Sequence, residues 1–240
     1  MPRLKNLLAG TALGLLFLLQ PAQSNAAFIL KLDDGVNPAR VIYDDVAVPP
    51  PGTNPDGLPG TPGALMFSGT YGNYSLVVSV GGSKPAQGTA AAPHLTLTTF
   101  VISGPSAGTL TLSLTDTDFT PIPPYFVSAT GGTANGSVQV STFADFTNAE
   151  FGTGTPLSSF GPFGPPVFSD DEQVNKSGNT PYSLTIVTAI THTTAGTTQV
   201  TSEIVSGDVV EAPEPTTWAL AGLGFVGLTA WGWRRRRQAA

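Results

Sequence analysis

Between residues 109 and 115 the chain reads Thr-Leu-Thr-Leu-Ser-Leu-Thr, a strict period of two. Successive side chains of a strand point to opposite faces, so Leu110, Leu112 and Leu114 share one face and the hydroxyls the other. The pattern predicts a half-buried strand. Similar runs occupy residues 74–80, 94–102, 137–142, 182–193 and 198–205, with weaker ones at 28–32 and 41–48. Thr, Val, Ile and aromatic residues dominate them, and such stiff side chains suit a pleated surface better than a helix. Gly81-Gly82, Gly131-Gly132 and Asn135-Gly136 read as turns between the runs. Two longer spacers, 49–63 and 152–166, are so rich in Pro and Gly that both are expected to be surface loops. Short strands at this spacing predict an all-β domain over residues 27–211, an antiparallel β-sandwich or jelly-roll-like fold.

The two ends follow a different pattern. Arg3 and Lys5 precede an apolar run from residue 7 to 19, followed by Pro21 and the small-residue segment Ser24-Asn25-Ala26. Basic, apolar and small-residue regions in that order describe a secretory signal peptide over 1–26, cleaved after Ala26. At the other end, residues 216–233 carry no charge, and eighteen residues of helix span about 27 Å, just enough for a bilayer core. Trp218 lies near one end and Trp231 and Trp233 at the other, where indoles favour the membrane interfaces. Arg234, Arg235, Arg236 and Arg237 then stop transfer and place the C-terminus in the cytoplasm by the positive-inside rule.

Pro213-Glu214-Pro215 stands immediately before this helix. The three parts in order, Pro-Glu-Pro, a short Gly- and Leu-containing membrane helix and an arginine cluster, resemble the PEP-CTERM sorting signal of Gram-negative bacteria. The resemblance covers residues 213–237. It implies a precursor passed through the general secretion machinery, held in the inner membrane and recognised there by an exosortase, in a species that exports extracellular polysaccharide. Membership of that group implies an address and a processing step, and its varied bodies lend no chemistry. Physics supplies part of the reason such a tag works, because two prolines around one glutamate keep the segment extended just outside the membrane.

Composition narrows what lies between the ends. There is no cysteine among the 240 residues, so neither a disulfide nor a thiolate metal site is available. Outside the two termini only Lys31, Arg40, Lys84 and Lys176 stand against all sixteen acidic residues, an excess of about twelve negative charges. Such a surface repels nucleic acid and anionic lipid, and it favours solubility and cation binding. The acidic groups Asp33-Asp34, Asp44-Asp45, Asp116 with Asp118, and Asp170-Asp171-Glu172 offer oxygen ligands of the kind calcium takes. None has the spacing of a known calcium loop, so no metal ligand is assigned, and no cofactor is implied.

Motifs that promise catalysis fail on context. Gly104-Pro105-Ser106-Ala107-Gly108 matches the G-x-S-x-G nucleophile elbow, with His192 downstream in the right chain order. An elbow needs a helix after it, whereas here the alternating strand follows, which favours a β-turn or hairpin loop. Gly222 to Gly227 spell a dinucleotide fingerprint inside the membrane helix, with no strand before it. His94 and His192, the two histidines, have no second His or Cys at ligand spacing and read as strand residues. No catalytic residue is assigned.

The expectation is therefore a non-enzymatic surface or matrix protein, structural in an extracellular polysaccharide or biofilm layer. The alternative is a carbohydrate-binding β-sandwich in which Tyr71, Tyr74, Tyr125 or Phe126 stacks on sugar rings, and a secreted serine hydrolase is the third reading.

Overall fold

A computed structural model describes residues 27–45, 56–104 and 108–206. The signal peptide, Ala26, the Pro213-Glu214-Pro215 motif, the membrane helix and the arginine cluster lie outside the described residues. Among those described, no helix is long and apolar enough to cross a membrane.

Twelve strands make up the body: β1 (Ile29–Asp33), β2 (Arg40–Tyr43), β3 (Ala64–Tyr71), β4 (Tyr74–Gly82), β5 (His94–Ser103), β6 (Gly108–Phe119), β7 (Phe126–Thr133), β8 (Ser137–Asp145), β9 (Thr155–Phe163), β10 (Val167–Val174), β11 (Tyr182–His192) and β12 (Gly196–Ser206). They form two six-stranded sheets, one in the order β2-β1-β6-β11-β8-β9 and the other β10-β7-β12-β5-β4-β3. Every pairing is antiparallel. The fold is thus all-β and a sandwich, as the alternation predicts.

The period-two reading of β6 holds for its leucine face, but Ser113 and Thr115 on the opposite face are buried as well, so the strand is half-buried only towards Thr109 and Thr111. Leu110, Leu112 and Leu114 are fully buried and lie opposite Ile190, Thr188 and Ile186 of β11. From the other sheet Leu95, Leu97 and Val101 of β5, with Val200 and Ile204 of β12, complete the core. A side chain added at Gly81 would come within 2.8 Å of Leu114 and 3.0 Å of Phe28, which shows how closely the faces meet. Tyr182 anchors one end, its ring 5.7 Å from that of Phe119 and 5.9 Å from those of Phe126 and Phe146.

Three expectations need correction. Gly81-Gly82 and Gly131-Gly132 are not turns but lie within β4 and β7. A side chain at Gly132 would overlap the Gln199 carbonyl of the neighbouring strand, so glycine there lets two backbones approach rather than lets the chain bend. The spacer 152–166 is not a loop throughout, because β9 runs from Thr155 to Phe163 at the edge of its sheet. An edge strand tolerates proline because one side of its backbone needs no partner, and the ladder with β8 shifts register twice to admit Pro156 and Pro162. Residues 56–63 are turns, as expected, and Asn135-Gly136 is the bend between β7 and β8. Strand β2 stops at Tyr43, and residues 46–48 of the longer expected run lie outside the described residues.

The core also holds hydroxyls. Thr142 bonds Ser128 and Ser158 at 2.7 Å each, linking the two sheets through side chains. Thr188, fully buried between Leu112 and Val140, has no partner for its Oγ1 among the described residues. A buried hydroxyl without a partner costs stability. Replacing Thr188 by the isosteric Val should therefore stabilise the body by about 1 kcal/mol, whereas Leu112→Ala should cost about 3 kcal/mol. Urea unfolding followed by near-ultraviolet circular dichroism checks both.

Candidate functional site

The most unusual grouping of ionisable side chains lies where β2 gives way to the loop before β3. After Tyr43 the chain bends at Asp44 and Asp45, the latter with a positive φ of 44°. The turns at 56–63 fold back against this bend through backbone amides. Gly63 N–H donates to Asp44 Oδ2 at 2.6 Å and Gly60 N–H to Asp45 Oδ1 at 2.5 Å. Asp56 Oδ1 accepts from Leu58 N–H at 3.0 Å and Met66 N–H at 2.8 Å. Gly63, at φ 79°, could carry no side chain, since a Cβ would lie 2.6 Å from the Lys84 carbonyl oxygen. One oxygen of each of the three carboxylates lies within 4.8 Å of the others. Asp44 Oδ1 and Asp56 Oδ2 are shielded from solvent and have no hydrogen-bond donor. Burial pushes Asp44 up to about 6, and the charges of Asp45 and Asp56 add to this against the Gly63 amide. An all-oxygen set suits a hard cation. Reading the sequence pairs Asp44 with Asp45 but misses Asp56, because ten residues separate it from Asp45 and no local spacing signals the fold-back.

The other acidic candidates are engaged elsewhere or stand open. Asp33 and Asp34 cap the turn after β1 by accepting from Gly35, Val36 and Asn37 N–H groups. Asp116, fully buried, accepts from Lys84 Nζ at 2.9 Å and Ser83 Oγ at 2.5 Å. Burial raises its carboxyl above the ordinary value despite the pull of the Lys84 ammonium. Lys84 also sits 3.8 Å from the Phe119 ring centre. Asp118 exchanges hydrogen bonds with Asn148 at 2.9 and 2.7 Å. Asp170, Asp171 and Glu172 lie exposed along β10.

The catalytic reading fares poorly in its geometry. Ser106 lies outside the described residues, while Gly108 opens β6 rather than a helix, and β5 and β6 belong to different sheets, so they do not pair as a hairpin. His192 is buried, with Nδ1 on Ser103 Oγ and Nε2 2.7 Å from Thr198 Oγ1, so both ring nitrogens are already occupied. Burial lowers its pKa and keeps the ring neutral. Ser103, His192 and Thr198 thus join β5, β11 and β12 inside the protein. His94, on the outer side of β5, meets Glu203 Oε2 at 3.2 Å. Of the aromatics considered for sugar stacking, Tyr71, Tyr74 and Phe126 are core residues, and only Tyr125 is half-buried. Core packing takes three of these four rings.

Against known proteins the tail is the informative part. Residues 211–237 match the family described as the PEP-CTERM protein-sorting motif. The tail is a PEP-CTERM sorting signal. The match takes in Pro213, Glu214, Pro215 and the four arginines, and it leaves the body outside the PEP-CTERM assignment. No curated protein matches the sequence. Among solved structures the chain is similar to the enzymatically active domain of tailspike protein 4 of bacteriophage CBA120, with a TM-score of 0.31 and 11% identity, over 54% of this chain and 19% of that one. It is also similar to a promiscuous carbohydrate-binding module of the β-sandwich superfamily, with a TM-score of 0.31, 11% identity and coverage of 75% and 84%. A third similar structure is TmCBM61 in complex with β-1,4-galactotriose, with a TM-score of 0.23, 5% identity and coverage of 58% and 92%. Likeness this slight carries no residue role into the body that bears the PEP-CTERM tail.

The acidic bend makes stability depend on pH in a definite direction. Asp44 has a folded pKa of about 6, above the unfolded value, so its protonated form favours the folded state. That contribution is complete below about pH 4 and is lost as the pH rises through the folded pKa. In buffer stripped of divalent cations, Asp44→Asn should melt close to the wild type at pH 4 and above it at pH 7. Equal melting temperatures at both pH values would contradict the assigned burial and crowding of this carboxylate.

Proposed function

We propose that the protein is an exosortase substrate whose body serves, without catalysis, as a structural component of an extracellular polysaccharide or biofilm layer. Residues 1–26 lead it out and are removed after Ala26. Residues 216–233 then hold the precursor in the inner membrane, with Arg234 to Arg237 on the cytoplasmic side. The observation that carries this reading is the PEP-CTERM match over residues 211–237. The prolines on either side of Glu214 disfavour a helix there, and a processing enzyme needs an extended substrate. The helix after it contains glycines and gives only a marginal span, so it suits a temporary hold.

Two features of the body support its part in the reading. Its acidic excess favours dispersion, and the Ser103–His192 contact among the described residues is buried in the core. A second reading, polysaccharide binding, draws on the hydroxyl rows at the surface, such as Thr109 with Thr191 at 2.8 Å and Thr98 with Thr201 at 3.2 Å. Such rows offer hydrogen bonds but lack the stacking rings, so weak and broad recognition is the expectation. An affinity gel of the host's own polysaccharide that retains no protein would remove this second reading.

In a host with the matching exosortase, the intact mass of the surface-located protein should correspond to a chain beginning near Ala27 and ending near Pro213 to Pro215. Glu214→Ala leaves the apolar length and the arginines unchanged, so the precursor should insert normally but accumulate unprocessed in the inner membrane fraction. Retention of Trp218 to Arg237 in the surface protein would instead make the tail a permanent anchor.

A further inference from the structure

We propose that the Lys84 amine and the Asp116 carboxyl condense into an amide, an intramolecular cross-link that ties one sheet to the other. Lys84 stands two residues after the end of β4, in the second sheet, while Asp116 lies within β6 of the first. The two groups are already in contact, with Nζ 2.9 Å from Oδ2. Asp116 is fully buried, and Lys84 keeps only 12% of its side chain exposed. The Phe119 ring, itself fully buried, closes over the amine with its centre 3.8 Å from Nζ. In a surface ion pair water keeps both groups charged, and therefore unreactive towards each other. Here that water is largely excluded.

The groups around the pair are those that condensation needs. Burial disfavours both charges, and it raises the Asp116 carboxyl above its ordinary value although the Lys84 ammonium pulls the other way. The ammonium passes a proton to Oδ2, which leaves a neutral amine facing a neutral carboxyl, and the nitrogen lone pair then attacks Cγ. Thr117 N–H donates to Oδ1 at 2.7 Å, where negative charge develops as the tetrahedral centre forms. Ser83 Oγ donates to Oδ2 at 2.5 Å and polarises the bond that breaks. The Nζ–Cγ bond forms and the Cγ–Oδ2 bond breaks. Oδ2 leaves as water, with one hydrogen from the first transfer and a second from the attacking nitrogen, so no oxidant or cofactor is required. The hydrogen left on nitrogen has its acceptor in place, because Lys84 Nζ already donates to the Thr117 carbonyl. Fixed contact replaces a chance encounter of the two groups, and the exclusion of water opposes hydrolysis of the product. A chain without cysteine gains in this way a covalent tie that does not depend on the redox state of its surroundings. The inference concerns the body alone and stands whether or not the tail is processed.

The test uses the full chain, expressed without an exosortase, purified in detergent and then unfolded in urea so that no ion pair survives. Its intact mass should fall short of the mass calculated from its own termini by one water molecule. A chymotryptic digest should contain one branched peptide that joins the segment carrying Lys84 to the segment carrying Asp116. Lys84→Arg keeps a positive charge beside Asp116 but lacks the primary amine, so its mass should show no deficit. The wild-type mass and the branched peptide decide the question even where that variant fails to fold. A wild-type mass equal to that of the uncondensed chain would overturn the proposal and leave an ordinary buried ion pair. So would a deficit that persists in Lys84→Arg or maps to another peptide, since the lost water would then come from elsewhere in the chain.

Discussion

The meeting of two inner sheet faces holds this body together, and at Gly81 the room of a missing side chain is taken by Leu114 and Phe28. With no cysteine in the chain, stability rests on burial and on the antiparallel ladders. The leucine row of β6 sits at the centre of its sheet, paired with β1 on one side and β11 on the other, so it fixes the register of both neighbours. A slip of one residue would turn Leu110, Leu112 and Leu114 outward and threonines inward. The placement of the acidic bend follows from this arrangement. β2 pairs with β1 and β1 with β6, while β3 reaches the opposite sheet through β4, so the segment joining β2 to β3 must cross between layers at the sandwich edge.

Polar groups in the interior serve the same closure. Thr142 joins Ser128 on one sheet to Ser158 on its own, and His192 joins Ser103 and Thr198. These bonds have direction, whereas apolar contact has none, so they favour one relative placement of the sheets over others that would bury similar area. Asp116 with Lys84 acts differently. Its charge is fully buried and compensated by one ammonium and one hydroxyl, so removing either partner would cost more than the pair contributes. Lys84 and Ser83 also carry the backbone against which Gly63 packs, which ties this buried pair to the turns that hold the three carboxylates.

What could be read in the sequence depended on how each strand is buried. β4, β5, β6, β8, β11 and β12 have one apolar face and one polar face or a rich β-branched content, and their positions were legible to within a few residues. β7 was hidden because Gly131 and Gly132 look like a turn, although close approach of Gln199 is what requires a small residue at 132. β9 was hidden by prolines that only an edge can accept. β10, reading VFSDDEQV, buries Phe168 and little else, so it has no hydrophobic period to detect. The acidic site was half legible for a related reason. Asp44 and Asp45 are adjacent in the chain, but Asp56 joins them only through backbone amides of glycine-rich turns, and hydrogen bonds of that kind leave no side-chain pattern. The match over residues 211–237 was legible because its signal is linear: a short motif, an apolar length and a charge block need no tertiary contact to be recognised.

An open sandwich presents four edge strands, whose free backbone groups would pair with copies of the domain unless blocked. Each edge here is managed by a different device. β2 has only four residues, too few to template a long ladder. β9 carries Pro156 and Pro162, which lack the N–H that a new neighbour would need. β10 places Asp170, Asp171 and Glu172 in succession, so a second copy would set like charges against each other. At β3, Arg40 reaches across from the other sheet to the Thr70 carbonyl at 3.3 Å, with its guanidinium over Phe67 and Tyr71. The acidity that sets the body apart from its basic termini therefore has a structural use besides solubility. At the β10 edge it opposes pairing with a second copy, because like charges would be set against each other.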